Sequence, residues 1–466
     1  MNCTYEYFTG RGLFRKSTQL RLGLPAASRG RPDGLGAGSR GGSVAAALQW
    51  RSPPLRRRPP SPANPSPGAD VVIELPEPDG TLAPYEPSTV PRGFTPSNAP
   101  FTSRVVFSTA HVVADPMAAN TTLLLGFEPF RPPAIDWDAT IAFRGHLWAQ
   151  GFAVAEALDT QNRAMGLDWS ASAELIRRSA QEAHAVGGRI AGGVWTDQLD
   201  PMRPHSIADI TAAYEEQIEF VEGVGAQTII MASPQLAQTA ASPDDYAAVY
   251  RHLLAQATTP VILHWVLPES DPRLTGYWGH TDWDAALDAF AAVVKSNVDK
   301  VDGVKVWPVS REREIQLRRV MPEGVHVYNG DITDFPELIE GDEQGHSDAL
   351  ASVFGPLAPV IAGGFRALDA GDTETYRAEL KSTLPLAQHL FEGDALSMRF
   401  FKTDFVFLAW LSGHQEHFRM IWGEQSARSV PHLAKAYRLA DGLGLFPDAD
   451  LAEHRMRLVL ETAGIR

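Results

Sequence analysis

The sequence predicts an α/β protein: a (β/α)₈ barrel with a C-terminal helical extension and a disordered N-terminal tail. From about residue 104, short apolar runs alternate with amphipathic helical stretches, which is typical of βα units in a parallel sheet. Seven or eight such units follow one another, and a single barrel of this kind takes roughly 250 residues. By contrast, residues 1–69 are rich in Arg, Gly, Pro and Ser and cannot bury enough apolar surface to fold.

These patterns divide the chain into four segments. Residues 1–69 form the disordered basic tail, and residues 70–103 are a Pro-rich, acidic stretch that we expect to be an extended arm. The barrel is predicted over residues 104–375 and the C-terminal helical region over residues 376–466.

Each barrel strand is predicted from an apolar run bounded by turn residues. The predicted strands are 104–113, 152–158, 189–195, 227–232, 260–266, 301–307, 324–328 and a weak eighth near 346–353. The helices between them repeat apolar residues at spacings of three and four, as in residues 207–221, and Gly223 is a stop signal. An open, doubly wound sheet is the alternative, but no strand is followed by a glycine-rich phosphate-binding motif.

Composition and charge exclude several function classes. Cys3 is the one cysteine, which excludes disulfide scaffolds, zinc fingers and iron–sulfur clusters and favours a reducing, cytoplasmic location. The tail has a net charge of +9, which leaves −24 for residues 70–466 and argues against nucleic-acid binding. The longest apolar run, residues 405–411, is far shorter than the roughly 20 residues that a membrane helix requires. We expect no cofactor and no metal ligands.

Polar residues at the carboxyl ends of barrel strands are the candidates for chemistry, because active sites of such barrels lie there. Lys305 is unusual, since it places an amine inside a buried apolar run. Burial disfavours the charged ammonium, so the amine could attack a carbonyl. The alternative is a structural lysine that extends to solvent or pairs with a carboxylate such as Asp331.

Several motifs resemble one known family. Gly-Val-Lys at 303–305 is followed twenty-five residues after the lysine by Gly-Asp at 330–331, and strand-like segments at 260–268 and 188–194 fit the same pattern. In order and spacing these motifs resemble the dihydrodipicolinate synthase/N-acetylneuraminate lyase superfamily, a group of class I aldolase barrels. A less characterised, dihydrodipicolinate synthase-like bacterial branch is also similar at residues 110–116, 305–313 and 410–419. The resemblance covers roughly residues 100–466.

The resemblance implies that Lys305 forms a Schiff base with the substrate. His264 stands where the family has a proton-relaying tyrosine, and histidine can do acid–base work near neutral pH. Where the family binds the carboxylate of pyruvate with Gly-Thr-Thr-Gly-Glu, this chain begins with an acid, which makes pyruvate a poor substrate. The expected substrate-binding residues are Asp159, Thr160, Gln161, His111, Asp115, Asn329, Gly330 and Asp331.

The leading hypothesis is therefore an aldolase-type carbon–carbon lyase, or a carbon–oxygen lyase that dehydrates a keto acid or keto sugar. A divalent-metal-dependent isomerase or hydrolase remains open, with His111, Asp115, His264 and Asp331 as ligands. A barrel that binds a ligand without catalysis also remains open. The expected partners are a small carbonyl substrate and further copies of the chain, because the C-terminal region is aromatic and the family favours homo-oligomers. Neither nucleic acid nor a membrane is expected.

Overall fold

The computed structural model describes residues 4–5, 16–17, 72–88, 93, 97–118, 133–158, 162–163, 166–393 and 400–465. The chain divides into two units, residues 1–67 and residues 68–466. Within the first unit, β1 (Thr4–Tyr5) pairs antiparallel with β2 (Lys16–Ser17). The rest of the predicted disordered tail lies outside the described residues.

The second unit contains a closed barrel of eight parallel strands, which confirms the predicted fold. Each strand pairs with its neighbours in sequence, and the last strand closes on the first. The open doubly wound alternative is excluded by this closure. The barrel strands are β5 (Val106–Thr109), β6 (Ala153–Glu156), β7 (Ile190–Val194), β8 (Gln227–Met231), β9 (Val261–Val266), β10 (Val301–Trp307), β11 (His326–Asn329) and β12 (Asp348–Ala351).

Helices follow the strands, and most begin at a side chain that caps the first turn. Asp168 accepts a hydrogen bond from the backbone of Ala171, and Ser206 and Asp209 form a reciprocal capping box. The helix predicted to stop at Gly223 is present and spans Ile207–Gly223. The barrel helices are α1 (Trp137–Trp148), α2 (Trp169–Val186), α3 (Ile207–Gly223), α4 (Pro234–Thr239), α5 (Pro243–Gln256), α6 (Trp283–Lys295), α7 (Arg311–Val320), α8 (Phe335–Glu340) and α9 (Phe354–Asp369).

Within the described residues, the C-terminal region contains four further α-helices. They are α10 (Thr373–Leu390), α11 (Phe401–Leu411), α12 (Val430–Gly442) and α13 (Ala449–Thr462). Every residue of α11 is buried, so the apolar run at 405–411 belongs to a core helix. None of the helices in the described part of the chain is long and apolar enough to cross a membrane.

The arm predicted over residues 70–103 contains a β-hairpin, formed by β3 (Ile73–Pro76) and β4 (Leu82–Tyr85). It packs against the C-terminal helices. Tyr85 donates a hydrogen bond of 2.7 Å to Asp441, and Arg438 forms an ion pair of 2.7 Å with Glu77. The hairpin and the C-terminal helices therefore share one packed surface.

The barrel interior has its own apolar cluster, distinct from the larger core between strands and helices. Its members alternate along the strands, as expected where successive side chains point to opposite faces. They are Phe107, Ala153, Ala155, Leu158, Ala191, Ile229, Met231, Ile262, Tyr328 and Leu350. Ile262 faces the interior, and side chains two positions apart on a strand point to the same face. His264, further along β9 at the carboxyl end of the barrel, therefore also faces the interior.

Candidate active site

Lys305 and His264 lie side by side at the carboxyl end of the barrel. Parallel pairing of β10 with β9 places Lys305 directly opposite His264. Both side chains line one cavity and both residues are buried, with exposed fractions of 5% and 4%. Nδ1 of His264 is 3.4 Å from the carbonyl oxygen of Lys305. The two residues predicted to be catalytic are thus brought together.

Gly330 makes room for the lysine side chain. A Cβ atom at this position would lie 2.8 Å from Cε of Lys305 and 3.3 Å from its Nζ. It would also lie 3.3 Å from Cδ1 of Trp307. Since carbon atoms pack at about 3.5–4.0 Å, the absence of a side chain at 330 is what lets the amine occupy its position.

Aromatic side chains from outside the barrel line the cavity that holds this amine. Phe391 follows α10 and Phe401 begins α11, and their rings stack with centroids 4.4 Å apart. Together with Trp307, Ile332 and Ser352 they close the cavity around Lys305 and His264. The remaining space is about 10 Å³, roughly the room that one water molecule needs. We call Phe391 and Phe401 the aromatic roof.

Asn329 points away from this cavity. Its Nδ2 donates hydrogen bonds of 3.0 and 2.8 Å to the two carboxyl oxygens of Glu314, and Ser347 donates a third of 2.8 Å. Burial raises the pKa of Glu314 to about 7, against the opposing effect of these hydrogen bonds. Asn329 therefore fixes a buried acid on α7, a residue that the sequence analysis did not select.

Asp331 organises the chain beyond β11. Its carboxylate accepts hydrogen bonds from the backbone of Thr333, at 3.1 Å, and of Asp334, and from the Thr333 hydroxyl. These contacts shape the turn that leads into α8. They give Asp331 a structural role next to Gly330.

His111 belongs to a separate cluster outside the cavity. Its Nε2 lies 2.8 Å from Oε1 of Gln415, and its ring contacts Phe143. His146 and His414 complete the group, with ring centroids 4.1 Å apart. Burial lowers the pKa of His111 and His146 to about 3 and that of His414 to about 4. We call His111, His146 and His414 the histidine cluster.

The four ligands of the metal-dependent alternative do not meet. His111 lies in the histidine cluster, while His264 lines the Lys305 cavity. Asp115 accepts a hydrogen bond of 2.8 Å from the backbone of Met117, and Asp331 shapes its own turn. In the described part of the chain, no three of these four residues bring ligand atoms within 4.8 Å of one another. These four residues therefore do not form the predicted three- or four-ligand metal site.

The segment that replaces the family's carboxylate-binding motif is described only in part. Asp159, Thr160 and Gln161 lie outside the described residues. The residues that follow are structural: Asn162 donates to the carbonyl of Ala110, and buried Arg163 binds Asp197 at 2.5 Å.

A buried ion pair joins the ends of the first two barrel strands. Arg144 on α1 binds both carboxyl oxygens of Glu156 on β6, at 2.7 and 3.1 Å. Nη2, one of the two nitrogens that bind Glu156, also donates to the carbonyl of Ala110, and Nη1 donates to that of His111; both carbonyls follow β5. Neither charged side chain is exposed. The sequence signal for this ion pair was a charged residue within an apolar run, as at Glu156. The same signal pointed to Lys305, which is the one such residue taken as a candidate.

Comparison with solved structures supports the fold. A 4-hydroxy-tetrahydrodipicolinate synthase from Methylacidiphilum fumariolicum has a TM-score of 0.51 at 15% identity, covering 74% of this chain and 99% of that chain. A dihydrodipicolinate synthase from Thermotoga maritima has a TM-score of 0.52 at 13% identity, covering 74% of this chain and 100% of the other. The resemblance inferred from sequence motifs is thus confirmed at the level of the fold.

The sequence comparisons give a family. No curated protein matches the chain. Residues 73–465 match the family described as "protein of unknown function (DUF993)". That match spans the hairpin, the barrel and the C-terminal helices, and the chain belongs to this family, with the fold of the dihydrodipicolinate synthases.

Proposed function

We propose that the protein is a Schiff-base-forming lyase that acts on a small keto compound. The observation that carries the proposal is the position of the Lys305 amine, inside the carboxyl end of the barrel, beside His264 and against Gly330. Barrel enzymes place their chemistry at this end. A lysine in an apolar cavity is the residue type that forms imines with carbonyl substrates.

In the proposed reaction the neutral amine of Lys305 adds to the substrate carbonyl carbon. Loss of the carbonyl oxygen as water gives a protonated imine. This cation then accepts the electron pair of a bond on the neighbouring carbon. In cleavage this is the C–C bond, whose other fragment leaves as a carbonyl compound; in dehydration it is a C–H bond, after which the enamine expels the adjacent hydroxyl group as water. His264 moves the protons that these steps require, since a neutral imidazole can accept one and return it. Hydrolysis of the imine releases the product and restores the amine.

The closed cavity constrains how a substrate enters. About 10 Å³ is far too little space for a keto acid or keto sugar, so the aromatic roof must move when substrate binds. Closure of a mobile element that excludes water after substrate binds is a common step in enzymes. The roof would then close over the imine and protect it from early hydrolysis.

The cavity lining favours a keto sugar over a keto acid. Among its described residues, Lys305 and His264 are the ones that can carry charge, and the others are aromatic, aliphatic or small: Trp307, Gly330, Ile332, Ser352, Phe391 and Phe401. No arginine in this lining is placed to form the bidentate pair that a carboxylate prefers. Asp159, which stands where the family has its carboxylate-binding motif, also disfavours an anionic substrate.

Reductive trapping tests the proposal. The protein is incubated with a panel of keto sugars and keto acids, reduced with borohydride and analysed by mass spectrometry. We expect a reduced adduct that peptide mapping places on Lys305. Lys305→Ala and Lys305→Arg should both abolish the adduct, because a guanidinium stays protonated and cannot attack a carbonyl. Lys295→Ala, at the exposed end of α6, is the matched control and should trap normally.

The outcomes separate the alternatives. An adduct without turnover of any panel compound would favour the non-catalytic, ligand-binding alternative. Absence of any adduct, together with an activity that chelators abolish, would refute the imine mechanism.

A further inference from the structure

A second group of ligand-type side chains lies in the C-terminal helices. His389 is in the last turn of α10, Glu392 follows that helix, and His432 is in the first turn of α12. Their ligand atoms lie within 4.8 Å of one another, and this is the one such group of three among the residues that the structure describes. Two imidazoles and a carboxylate are a donor set that zinc uses with a water molecule as fourth ligand.

The second ring nitrogens of both histidines already have acceptors. Nε2 of His432 lies 3.0 Å from Asp404, a fully buried carboxylate that also accepts from Arg428 at 2.8 Å. Nε2 of His389 lies 2.9 Å from the carbonyl oxygen of His432. Both contacts place the ring proton on Nε2 and leave Nδ1 with its lone pair. Histidines that bind metals are held in this way by carboxylates and carbonyls.

The surroundings of His389 call for an additional cation. Its Nδ1 lies 2.7 Å from Oε2 of Glu392, while its Nε2 faces the carbonyl of His432. A neutral imidazole has a single N–H and cannot donate to both oxygens. A metal ion bound to Nδ1, with the Glu392 carboxylate turned outward from its present contact to make room, supplies the positive charge without protonating the ring.

We propose that His389, Glu392 and His432 bind one zinc ion. Glu392 is 59% exposed, so its side chain is free to turn toward the ion, and a water molecule can reach the fourth position. The histidines are 3% and 13% exposed and fix the inner side of the site. The ion joins the end of α10 to the start of α12.

The site lies next to the aromatic roof. Phe391 stands between the ligands His389 and Glu392 in the chain, and its ring lines the Lys305 cavity. An ion bound to both neighbours therefore holds Phe391 in the position that closes the cavity. Zinc should slow the opening of the roof.

Zinc titration of the full-length protein tests the site. The protein is treated with chelator, dialysed and titrated with a zinc salt by calorimetry, and bound zinc is counted by elemental mass spectrometry. We expect one zinc per chain with micromolar or tighter affinity and a higher melting temperature when zinc is bound. Glu392→Gln should weaken binding at least tenfold, and His432→Ala should abolish it.

Two further variants sharpen the test. Lys435 is 3.6 Å from Glu392 and competes for its carboxylate, so Lys435→Met should tighten zinc binding several-fold. His454 is exposed on α13, and His454→Ala should leave binding unchanged. Because Glu392 is exposed, its replacement should not unfold the protein, and circular dichroism verifies this. Absence of stoichiometric binding, or equal affinity in Glu392→Gln and the unmutated protein, would overturn the proposal.

The effect on the roof rests on the proposed function and is measured separately. Borohydride trapping at Lys305 should be slower in the zinc-bound protein than in the zinc-free protein, and Glu392→Gln should remove the difference. If Lys305 forms no adduct, the proposed lyase function fails while the zinc titration still reports on the metal site. If zinc binds at this site but trapping is equally fast with and without it, the site is present and the coupling to the roof is refuted.

Discussion

Replacing Gly330 by alanine tests whether the Lys305 amine acts from the position that the structure gives it. The new Cβ atom would lie 2.8 Å from Cε of Lys305, where about 3.5–4.0 Å is the normal separation. Gly330 does not have a positive φ, so its backbone accepts alanine without strain. The contact must therefore be relieved by the flexible end of the lysine side chain.

The expected loss follows from that displacement. The end of the lysine side chain must move by about 1 Å, and a misplacement of that size in an active site costs on the order of 100-fold in rate. This corresponds to about 2.7 kcal/mol in the activation free energy. The free energy of unfolding should fall by about 1 kcal/mol. This is the lower end of the range for overpacked cores, because the mobile lysine side chain gives way.

The assay measures the rate at which Lys305 is trapped by borohydride with the best keto compound of the panel. Thermal unfolding of the same variant reports on stability. Gly363→Ala, in the interior of α9, is the matched control, because its Cβ would meet nothing within 4 Å. That variant should trap at the normal rate and gain up to about 1 kcal/mol of stability from its higher helix propensity.

Two results would refute this reasoning. Normal trapping in Gly330→Ala would mean that the amine reacts from a different position. A stability loss well above that expected for a mobile side chain would mean that Lys305 is held rigidly and cannot yield to the new methyl group.

Three further predictions concern the surroundings of the lysine. His264→Phe should still form the imine but turn over on the order of 10²–10⁴ more slowly, and unchanged steady-state rates would remove His264 from the mechanism. Arg144→Met should lower the free energy of unfolding by about 3–5 kcal/mol, because it leaves Glu156 buried without a counter-ion. Adding Glu156→Met should restore part of the loss in urea titrations, since the carbonyls that Arg144 binds lose their hydrogen bonds to it. The histidine cluster has lowered pKa values, so the free energy of unfolding should decrease as pH falls below about 6.5. The raised pKa of Glu314 acts in the opposite direction. Together these four groups should lower the free energy of unfolding by about 2.7 kcal/mol per pH unit between about 6.5 and 4.5. Urea titrations at pH 5.5 and 7.5 with equal midpoints would contradict it.

The barrel could be predicted because buried parallel strands are nearly continuous apolar runs, each followed by an amphipathic helix. The eighth strand was a weak prediction for a reason other than length, since β5, β6 and β11 also have four residues. It is the four residues Asp348–Ala351, and it begins with an acid that a pattern of apolar residues cannot explain. In the structure Asp348 accepts a hydrogen bond of 2.6 Å from the backbone of Val105, which ties β12 to the residue before β5. Barrel closure, a long-range effect, gives that segment its conformation.

The pairing of Lys305 with His264 was also accessible from sequence, because residues at the same height on neighbouring parallel strands meet inside a barrel. The directions of other polar side chains were not. Asn329 and Gly330 are adjacent, so they point to opposite faces, and Asn329 turns outward to Glu314. His111 lies two residues beyond the end of β5, where the alternation no longer applies. The inward or outward position of a residue along its strand therefore predicts a site better than the presence of a polar side chain near the strand end.

The aromatic roof could not be predicted from the residues at the strand ends. Phe391 is 86 residues from Lys305 in the chain and lies in a stretch whose pattern predicts only helix packing. Helix periodicity identifies the buried face of α10 and α11 but not the element that this face covers. In the proposed lyase the strand ends supply the reacting groups, and residues of the C-terminal helices line the cavity around them. Selectivity between keto compounds should therefore respond to substitutions at Phe391 and Phe401, because both rings line the cavity that holds Lys305.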